Sequence, residues 1–475
     1  MSYAVFVGKN RTATGYAFLA GYGDEPSSHW LEVVPRARHE PGSQIEVGVT
    51  PSAAMPGVRS YIPQVVETAR HLRVSYSYFL GVPAPLTNGG LNEHGVAVRD
   101  VWSPSSHRLV ALTPPDQDGP SYSDLARLVL ERARSAREGV ELIGELIARY
   151  GESTYGGNSH LIADQDEAWV VIEFAGGQGL WVAERLGPDD IRVSRPGYIL
   201  GVPSDFNDNE NFLASPHLIS FAIERGWHEP HEGPFNVNRI YGDGLGRSAS
   251  VTWMEDELNQ RASRAEKIGL ADVMWALRTE RLTGDRAGYG QVVPLEPVEH
   301  EHLRMIWHAA TGAMAAPFTP FFLGVTSVPL EFARHRYLTA GEDAAFIDAS
   351  REEGDAKSLV GQRTEVTRSA VSVFKRLLYL LAEHHDTFLP EVTPVWEALE
   401  REVAAEVPET VATASLLIDQ GMSAQASRLL TRYSAAEAVR GLDLAETMLT
   451  SMEARSRLLF GIRDDDAWRG PEQLW

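Results

Sequence analysis

The chain begins with an apolar segment that predicts a β-strand almost at the N-terminus. Residues 2–8 read Ser-Tyr-Ala-Val-Phe-Val-Gly, residues 9–10 predict a turn, and residues 13–20 predict a second strand that leads to Asp24. Chain ends normally fray into solvent, so a strand this close to the end needs an explanation. One explanation is an ordinary edge or core strand. The other is a reactive first residue whose side chain and α-amine act as nucleophile and base. A small residue after Met1 usually permits methionine removal, which makes Ser2 the candidate for that role.

The composition excludes several classes of function. The net charge of −22 argues against nucleic-acid binding, which requires a basic face, and against adhesion to anionic lipid. No apolar run of about 20 residues predicts a membrane span, and no secretory leader is recognisable, so we expect a cytoplasmic protein. The absence of cysteine excludes thiolate catalysis and sulfur-ligated zinc. The histidine pairs at 300/302 and 384/385 lack metal-like partners, and we predict neither a metal nor a cofactor.

The first part of the chain is rich in predicted strands. The candidates are residues 3–8, 13–20, 95–100, 159–163, 168–174, 180–184, 191–194 and 198–202. Those between residues 159 and 202 are short and separated by Asp, Gly and Pro, which favours antiparallel meanders over βαβ units. One amphipathic helix is predicted over residues 123–150. After about residue 340 the pattern becomes helical, and Ser434 with Glu437 predicts a capping box that opens a helix. We expect a core of residues 1–340 and a helical region of 341–475 packed on it, which could serve homo-oligomerisation.

Short motifs along the chain follow the order that they have in one enzyme family. They are Val7-Gly8-Lys9, Gly15, Asp24, Asn92-Glu93-His94-Gly95-Val96-Ala97, Tyr150-Gly151, Ile162-Ala163-Asp164, Glu167-Ala168-Trp169, Glu173, Gly176-Gly177, Trp181-Val182-Ala183, Gly233-Pro234-Phe235, Tyr241-Gly242-Asp243 and Pro320-Phe321-Phe322-x-Gly324. In this succession the chain resembles the dipeptidase/secernin family of N-terminal-nucleophile hydrolases, peptidase family C69. The resemblance implies an α+β fold, a four-layer αββα sandwich, here with a helical C-terminal third.

The resemblance also implies a reaction, the hydrolysis of dipeptides or small amides through an acyl-enzyme. By position, Ser2 falls on the family's catalytic cysteine and Asp24 on a carboxylate that holds or polarises the nucleophile's amino group. Asn92 falls on an amide that donates a hydrogen bond to the oxyanion. We expect substrate-binding side chains at Tyr22, Glu93, His94, Asn158, His160 and Arg195.

Three positions depart from the family pattern and leave the function open. Ser2 stands for the cysteine, Gly21 for an arginine beside the nucleophile, and Arg195 for an asparagine. A hydroxyl is a poorer nucleophile than a thiol near neutral pH. One function is an N-terminal serine amidohydrolase acting on a small peptide or amide. A second is a repurposed scaffold performing acyl transfer, cyclisation or isomerisation in secondary metabolism. A third is a non-catalytic binding or assembly protein.

Overall fold

Two antiparallel sheets stack face to face, and helices cover both outer faces of the stack. The computed structural model describes residues 2–24, 28–49, 55–79, 82–194, 199–229, 233–333 and 368–461. The α+β, four-layer arrangement implied by the resemblance is confirmed within these ranges. Apolar side chains such as Val74, Leu91 and Leu161 fill the space between the sheets.

The first sheet is built around the N-terminal strand. Its strands are β1 (Tyr3–Val7), β2 (Ala17–Gly23), β14 (Ile191–Ser194), β18 (Tyr289–Leu295), β19 (Met305–Ala309) and β20 (Thr319–Phe322). They run in the order β14-β1-β2-β18-β19-β20, so β1 has a partner on each side and is fully buried. Strand β2 begins later than predicted because residues 9–11 form a 3-10 turn, and the Thr12 hydroxyl donates to the Tyr16 carbonyl at 2.8 Å.

The second sheet has eight strands, all paired antiparallel. They are β3 (His29–Val34), β8 (His71–Phe79), β9 (Val82–Asn92), β10 (Ala97–Trp102), β11 (Gly156–Ala163), β12 (Ala168–Phe174), β13 (Trp181–Leu186) and β16 (Phe212–Ala214), in the order β16-β13-β12-β11-β10-β9-β8-β3. Three short two-stranded ribbons accompany them: β4 (Ala37–Arg38) with β7 (Glu67–Thr68), β5 (Gln44–Gly48) with β6 (Arg59–Pro63), and β15 (Gly201–Val202) with β17 (Phe235–Asn236).

Two helices cover the outer face of the eight-stranded sheet, α2 (Tyr122–Arg132) and α3 (Ala136–Tyr150), after a single turn α1 (His107–Val110). The prediction of one helix over residues 123–150 is wrong. Ala133 has an extended backbone, and the Ser135 side chain accepts a hydrogen bond from the Glu138 N–H at 3.1 Å, which begins a new helix. At the start of α2, Ser121 and Asp124 form a reciprocal capping box.

The remaining helices include a long antiparallel pair that covers the six-stranded sheet. They are α4 (Leu218–Glu224), α5 (Val237–Tyr241), α6 (Ala249–Ala262), α7 (Leu270–Ala276), α8 (Ala370–Glu383), α9 (His385–Asp419) and α10 (Ser423–Phe460). Ser434 lies inside α10 and opens no helix, contrary to the prediction. Arg278, which follows α7, pairs with the buried Glu400 of α9 at 3.0 Å and ties this layer to the rest of the chain. The boundary predicted at residue 340 lies outside the described residues and stays a prediction.

Candidate active site

Ser2 lies between the two sheets and is buried, with 7% of its surface exposed. Its Oγ accepts a hydrogen bond from the backbone N–H of Asp24 at 2.9 Å. The register that pairs Tyr3 with Tyr22 puts Ser2 opposite Gly23, at the end of β2. The structure therefore brings together Ser2 and Asp24, two of the three residues predicted to be catalytic.

Tyr3 and Tyr22 point away from the gap between the sheets. Their rings contact each other edge to face at 4.7 Å. The Tyr3 hydroxyl donates to the carbonyl of Ala276, and the Tyr22 hydroxyl to that of Leu282 at 3.1 Å. Because side chains alternate along a strand, Ser2 is on the opposite face, which is turned toward the eight-stranded sheet and is called the inner face below. Tyr22, expected to bind substrate, thus lies on the other side of its strand from Ser2.

Small residues stand on the inner face next to Ser2, and Arg99 of β10 lies against them. Ala4 pairs with Gly21 across the β1–β2 ladder. A Cβ on Gly21 would lie 2.8 Å from Cγ and from Nε of Arg99. The Arg99 guanidinium donates to the Tyr22 carbonyl at 2.7 Å. A fully buried cation from the second sheet therefore lies on the face that carries Ser2.

Asn88 of β9 holds the other side of this guanidinium. Arg99 Nη1 donates to the Asn88 carbonyl at 3.0 Å and also contacts its amide oxygen. Asn88 Nδ2 lies 3.4 Å from Nε2 of His29, and the Tyr289 hydroxyl donates to the Asn88 carbonyl at 3.4 Å. Sequence reasoning missed Arg99, Asn88 and Tyr289. The one available signal was a charged residue at an inward position of the apolar strand β10.

Asn92 is not brought to Ser2, and this corrects its expected placement. Its amide donates to the carbonyls of Leu130 at 3.2 Å and Ala133 at 2.7 Å, at the end of α2. Its Oδ1 accepts the N–H groups of His94 and Val96, each at 3.0 Å. Asn92 thus holds the β9–β10 turn to the outer helices. It lies four residues beyond Asn88, about 13 Å further along the strand.

Glu93 and His94 share that turn, away from Ser2. Glu93 is 4% exposed and forms a salt bridge with Arg36 at 2.9 Å. His94 is half-buried, and burial lowers the pKa of its imidazole. Both residues therefore lie in the turn, and neither lies on the inner face.

Asn158 and His160 form a second polar cluster, on the outer face of the eight-stranded sheet. Asn158 donates to Asp100, and His160 Nδ1 lies 2.8 Å from Oε1 of Glu173. His160 Nε2 lies 3.0 Å from the Tyr122 carbonyl, at the start of α2. Burial by itself lowers the pKa of His160, but the charge of Glu173 and its hydrogen bond outweigh burial and raise that pKa to about 9. The sheet itself separates this cluster from Ser2.

Arg195, the remaining predicted site residue, lies outside the described residues. Within them, no group of three or more His, Asp or Glu side chains is arranged to hold a metal ion. No described helix is long and apolar enough to cross a membrane.

Comparison with known proteins gives matches to a peptidase family and to several dipeptidases. The sequence profile of Peptidase family C69 matches residues 82–249. A probable dipeptidase from Latilactobacillus sakei is 32% identical over 155 residues, 32% of this chain and 31% of that protein. Dipeptidase A from Lactobacillus helveticus is 31% identical over 157 residues, 32% of each chain. The alignments span about a third of the length of these relatives.

A search of solved structures also gave matches, all of low similarity. Penicillin V acylase from Agrobacterium tumefaciens superposes with a TM-score of 0.36 and 15% identity, over 68% of this chain and 86% of that one. A mutant of the conjugated bile acid hydrolase from Clostridium perfringens superposes with a TM-score of 0.31 and 10% identity, over 68% of this chain and 92% of that one. The family profile covers the segment from β9 to the start of α6, which contains Asn88 and Arg99 but neither Ser2 nor Asp24. Over that segment the chain is similar to peptidase family C69.

Proposed function

We propose that the protein hydrolyses the amide bond of a small peptide or related amide, with Ser2 as an N-terminal nucleophile. The observation that carries this proposal is the position of Ser2, buried on the inner face with its Oγ held by the Asp24 N–H at 2.9 Å. The match of residues 82–249 to a peptidase family and the similarity of part of the chain to dipeptidases support the same class of reaction.

The reaction follows from the chemistry of a free N-terminal serine. Once Met1 is removed, the α-amine takes the proton of Oγ while Oγ attacks the substrate carbonyl. The amine then passes this proton to the leaving nitrogen, the C–N bond breaks, and an ester on Ser2 remains. Water, deprotonated by the same amine, cleaves the ester and restores the enzyme. The bond from the Asp24 N–H holds Oγ in place.

The oxyanion requires donors near Ser2, and the amide that we assign to this role differs from the one expected. Asn88 lies on the strand that faces the inner face, whereas both Asn92 amide hydrogens are donated to α2 carbonyls. We therefore assign the oxyanion donor to Asn88 within this proposal. A preorganised donor of this kind contributes about 10²- to 10³-fold in rate.

The test combines intact mass with hydrolysis of a dipeptide panel followed by liquid chromatography and mass spectrometry. We expect the purified protein to lack Met1, Ser2→Ala to lose at least about 10³-fold in kcat/KM, and Ser2→Cys to retain turnover. Ser220→Ala, a change at an exposed serine, is the matched control and should have no effect.

Other outcomes separate the alternatives. Retention of Met1 excludes the proposed mechanism, because the α-amine would be blocked. Full turnover by Ser2→Ala favours a repurposed scaffold with a different reaction. A protein that lacks Met1 but turns over no member of the panel supports a binding role.

A further inference from the structure

Arg99 is a buried cation whose hydrogen-bond partners are all neutral. It has no solvent-exposed surface. Nη1 contacts the Asn88 and Asp100 carbonyls and the Asn88 amide oxygen, and Nη2 donates to the Tyr22 carbonyl at 2.7 Å. Among the described residues, Nε is buried without a hydrogen-bond partner, and no carboxylate pairs with the guanidinium.

A buried charge without a counter-charge is energetically costly, and natural proteins pair such charges. Arg278, the other buried arginine among the described residues, follows this rule, since it pairs with Glu400. Arg99 differs only in lacking the anion. Its charge is therefore available to a group that enters the site from outside the chain.

The position of Arg99 relative to Ser2 limits what that group can be. The guanidinium lies over Gly21, whose partner in the ladder is Ala4, and Ala4 is two residues from Ser2 on the same face. Two residues of strand correspond to about 7 Å. In a dipeptide the terminal carboxylate carbon lies about 3–4 Å from the carbonyl carbon under attack, so a carboxylate beside Arg99 and a carbonyl beside Ser2 fit one small molecule.

We propose that Arg99 binds the free C-terminal carboxylate of the substrate and thereby selects short peptides over their amides. This inference rests on the proposed function at Ser2. The Nε–Nη2 edge of a guanidinium is suited to a carboxylate, and the unpartnered Nε–H supplies a donor there. Gly21 is required beside it, because any side chain at that position would occupy the space of Arg99.

The experiment compares a dipeptide library with the matching library of C-terminal carboxamides. Hydrolysis is measured with the wild-type protein, and binding with Ser2→Ala by isothermal titration. A charge-assisted pair contributes about 1.5–3 kcal/mol, so we expect the acid to be favoured over the amide by about 10- to 100-fold. In Arg99→Gln this ratio should fall to about 1, and in Arg99→Lys it should fall only in part.

The control is Gln291→Ala. Gln291 also links the two sheets, donating from Nε2 to the Val98 carbonyl at 3.1 Å, but it carries no charge. Its loss should leave the ratio of acid to amide unchanged even where overall rates drop. If Arg99→Gln does not fold, the wild-type ratio, Ser2→Ala binding and Arg99→Lys still decide the question.

The results distinguish the two proposals. Equal rates and equal binding for acids and amides in the wild-type protein overturn the role of Arg99. An Arg99-dependent preference for acids in binding, without any hydrolysis, supports the carboxylate site and overturns the proposed function. An acid preference that survives in Arg99→Gln assigns the selection to another residue and also overturns the inference.

Discussion

The imidazole of His160 and the carboxylate of Glu173 form a buried pair, with Nδ1 and Oε1 2.8 Å apart and no exposed surface on either side chain. The second ring nitrogen of His160 faces the Tyr122 carbonyl at 3.0 Å. Both nitrogens thus face acceptors, which requires both to carry hydrogen and the ring to be positively charged. This pair links β11 and β12 to the start of α2.

Stability should fall at alkaline pH because of His160. Its pKa in the folded chain is about 9, above the ordinary histidine value of 6.5, so its contribution is fully present below pH 6.5 and is lost as the pH rises through about 9. The loss over this window is on the order of 3 kcal/mol. Urea unfolding from pH 6.5 to 9.5 measures it. His160→Gln should remove most of the slope, and an unchanged slope in that variant would contradict the assignment.

Stability should also fall at acid pH because of His308. Burial lowers its pKa to about 3, and both ring nitrogens are without hydrogen-bond partners among the described residues. The unfolded chain takes up a proton at His308 below about pH 6.5, so stability falls from there toward pH 3, by about 1.4 kcal/mol per pH unit. Buried His71, with a pKa of about 4, adds a similar slope.

The check is urea unfolding between pH 7 and 4.5. His308→Phe keeps a ring between Tyr289 and Phe321, whose ring centroids each lie 6.3 Å away, and should reduce the acid slope. His385→Gln, at a half-exposed position, is the control and should leave it unchanged. Equal acid slopes in the wild-type protein and His308→Phe would show that His308 is not buried in its neutral form.

Gly21→Ala should destabilise the protein although alanine suits a strand better than glycine does. The added methyl would lie 2.8 Å from Arg99, and overpacking of this kind costs about 1–3 kcal/mol. Gly201→Ala is the matched control, because nothing lies within 4 Å of a Cβ there. Urea unfolding of both variants, and of Gly21→Ala combined with Arg99→Gln, measures the coupling. Additive losses in the double variant would argue against contact between these two positions.

Asn92→Ala should lower the stability of the protein, whereas Asn88→Ala should lower its activity. Asn92 makes four hydrogen bonds within the turn and to α2, so its loss should cost about 2–4 kcal/mol of stability and leave kcat/KM of the folded enzyme within about twofold. Asn88→Ala should lower kcat/KM at least about 10-fold. Unfolding curves and hydrolysis rates of the same preparations decide the matter. A stable Asn92→Ala without activity would restore the original expectation.

Local patterns in the sequence located most of the strands near the site and part of the helix boundaries. The apolar run after Ser2 became β1, and the segments at 159–163, 168–174 and 191–194 became strands with nearly the predicted bounds. Nearby residues also determine the break between α2 and α3. The Glu138 carboxylate accepts a hydrogen bond from the Arg134 N–H, and the Ser135 hydroxyl accepts one from the Glu138 N–H. The prediction missed this break because apolar residues at helical spacing continue from α2 into α3.

The sequence by itself determined that a strand begins next to Ser2 and, through residues 82–249, that the chain is similar to a peptidase family. Only the tertiary structure decided which polar groups lie beside Ser2. Strand alternation turns Asn92 toward α2 and Arg99 toward Gly21, and which face meets the other sheet depends on the pairing of segments far apart in the chain. β2 carries Gly21 where the resemblance implied an arginine, and the buried cation on this face comes from β10, because two stacked sheets bring side chains from both into one gap.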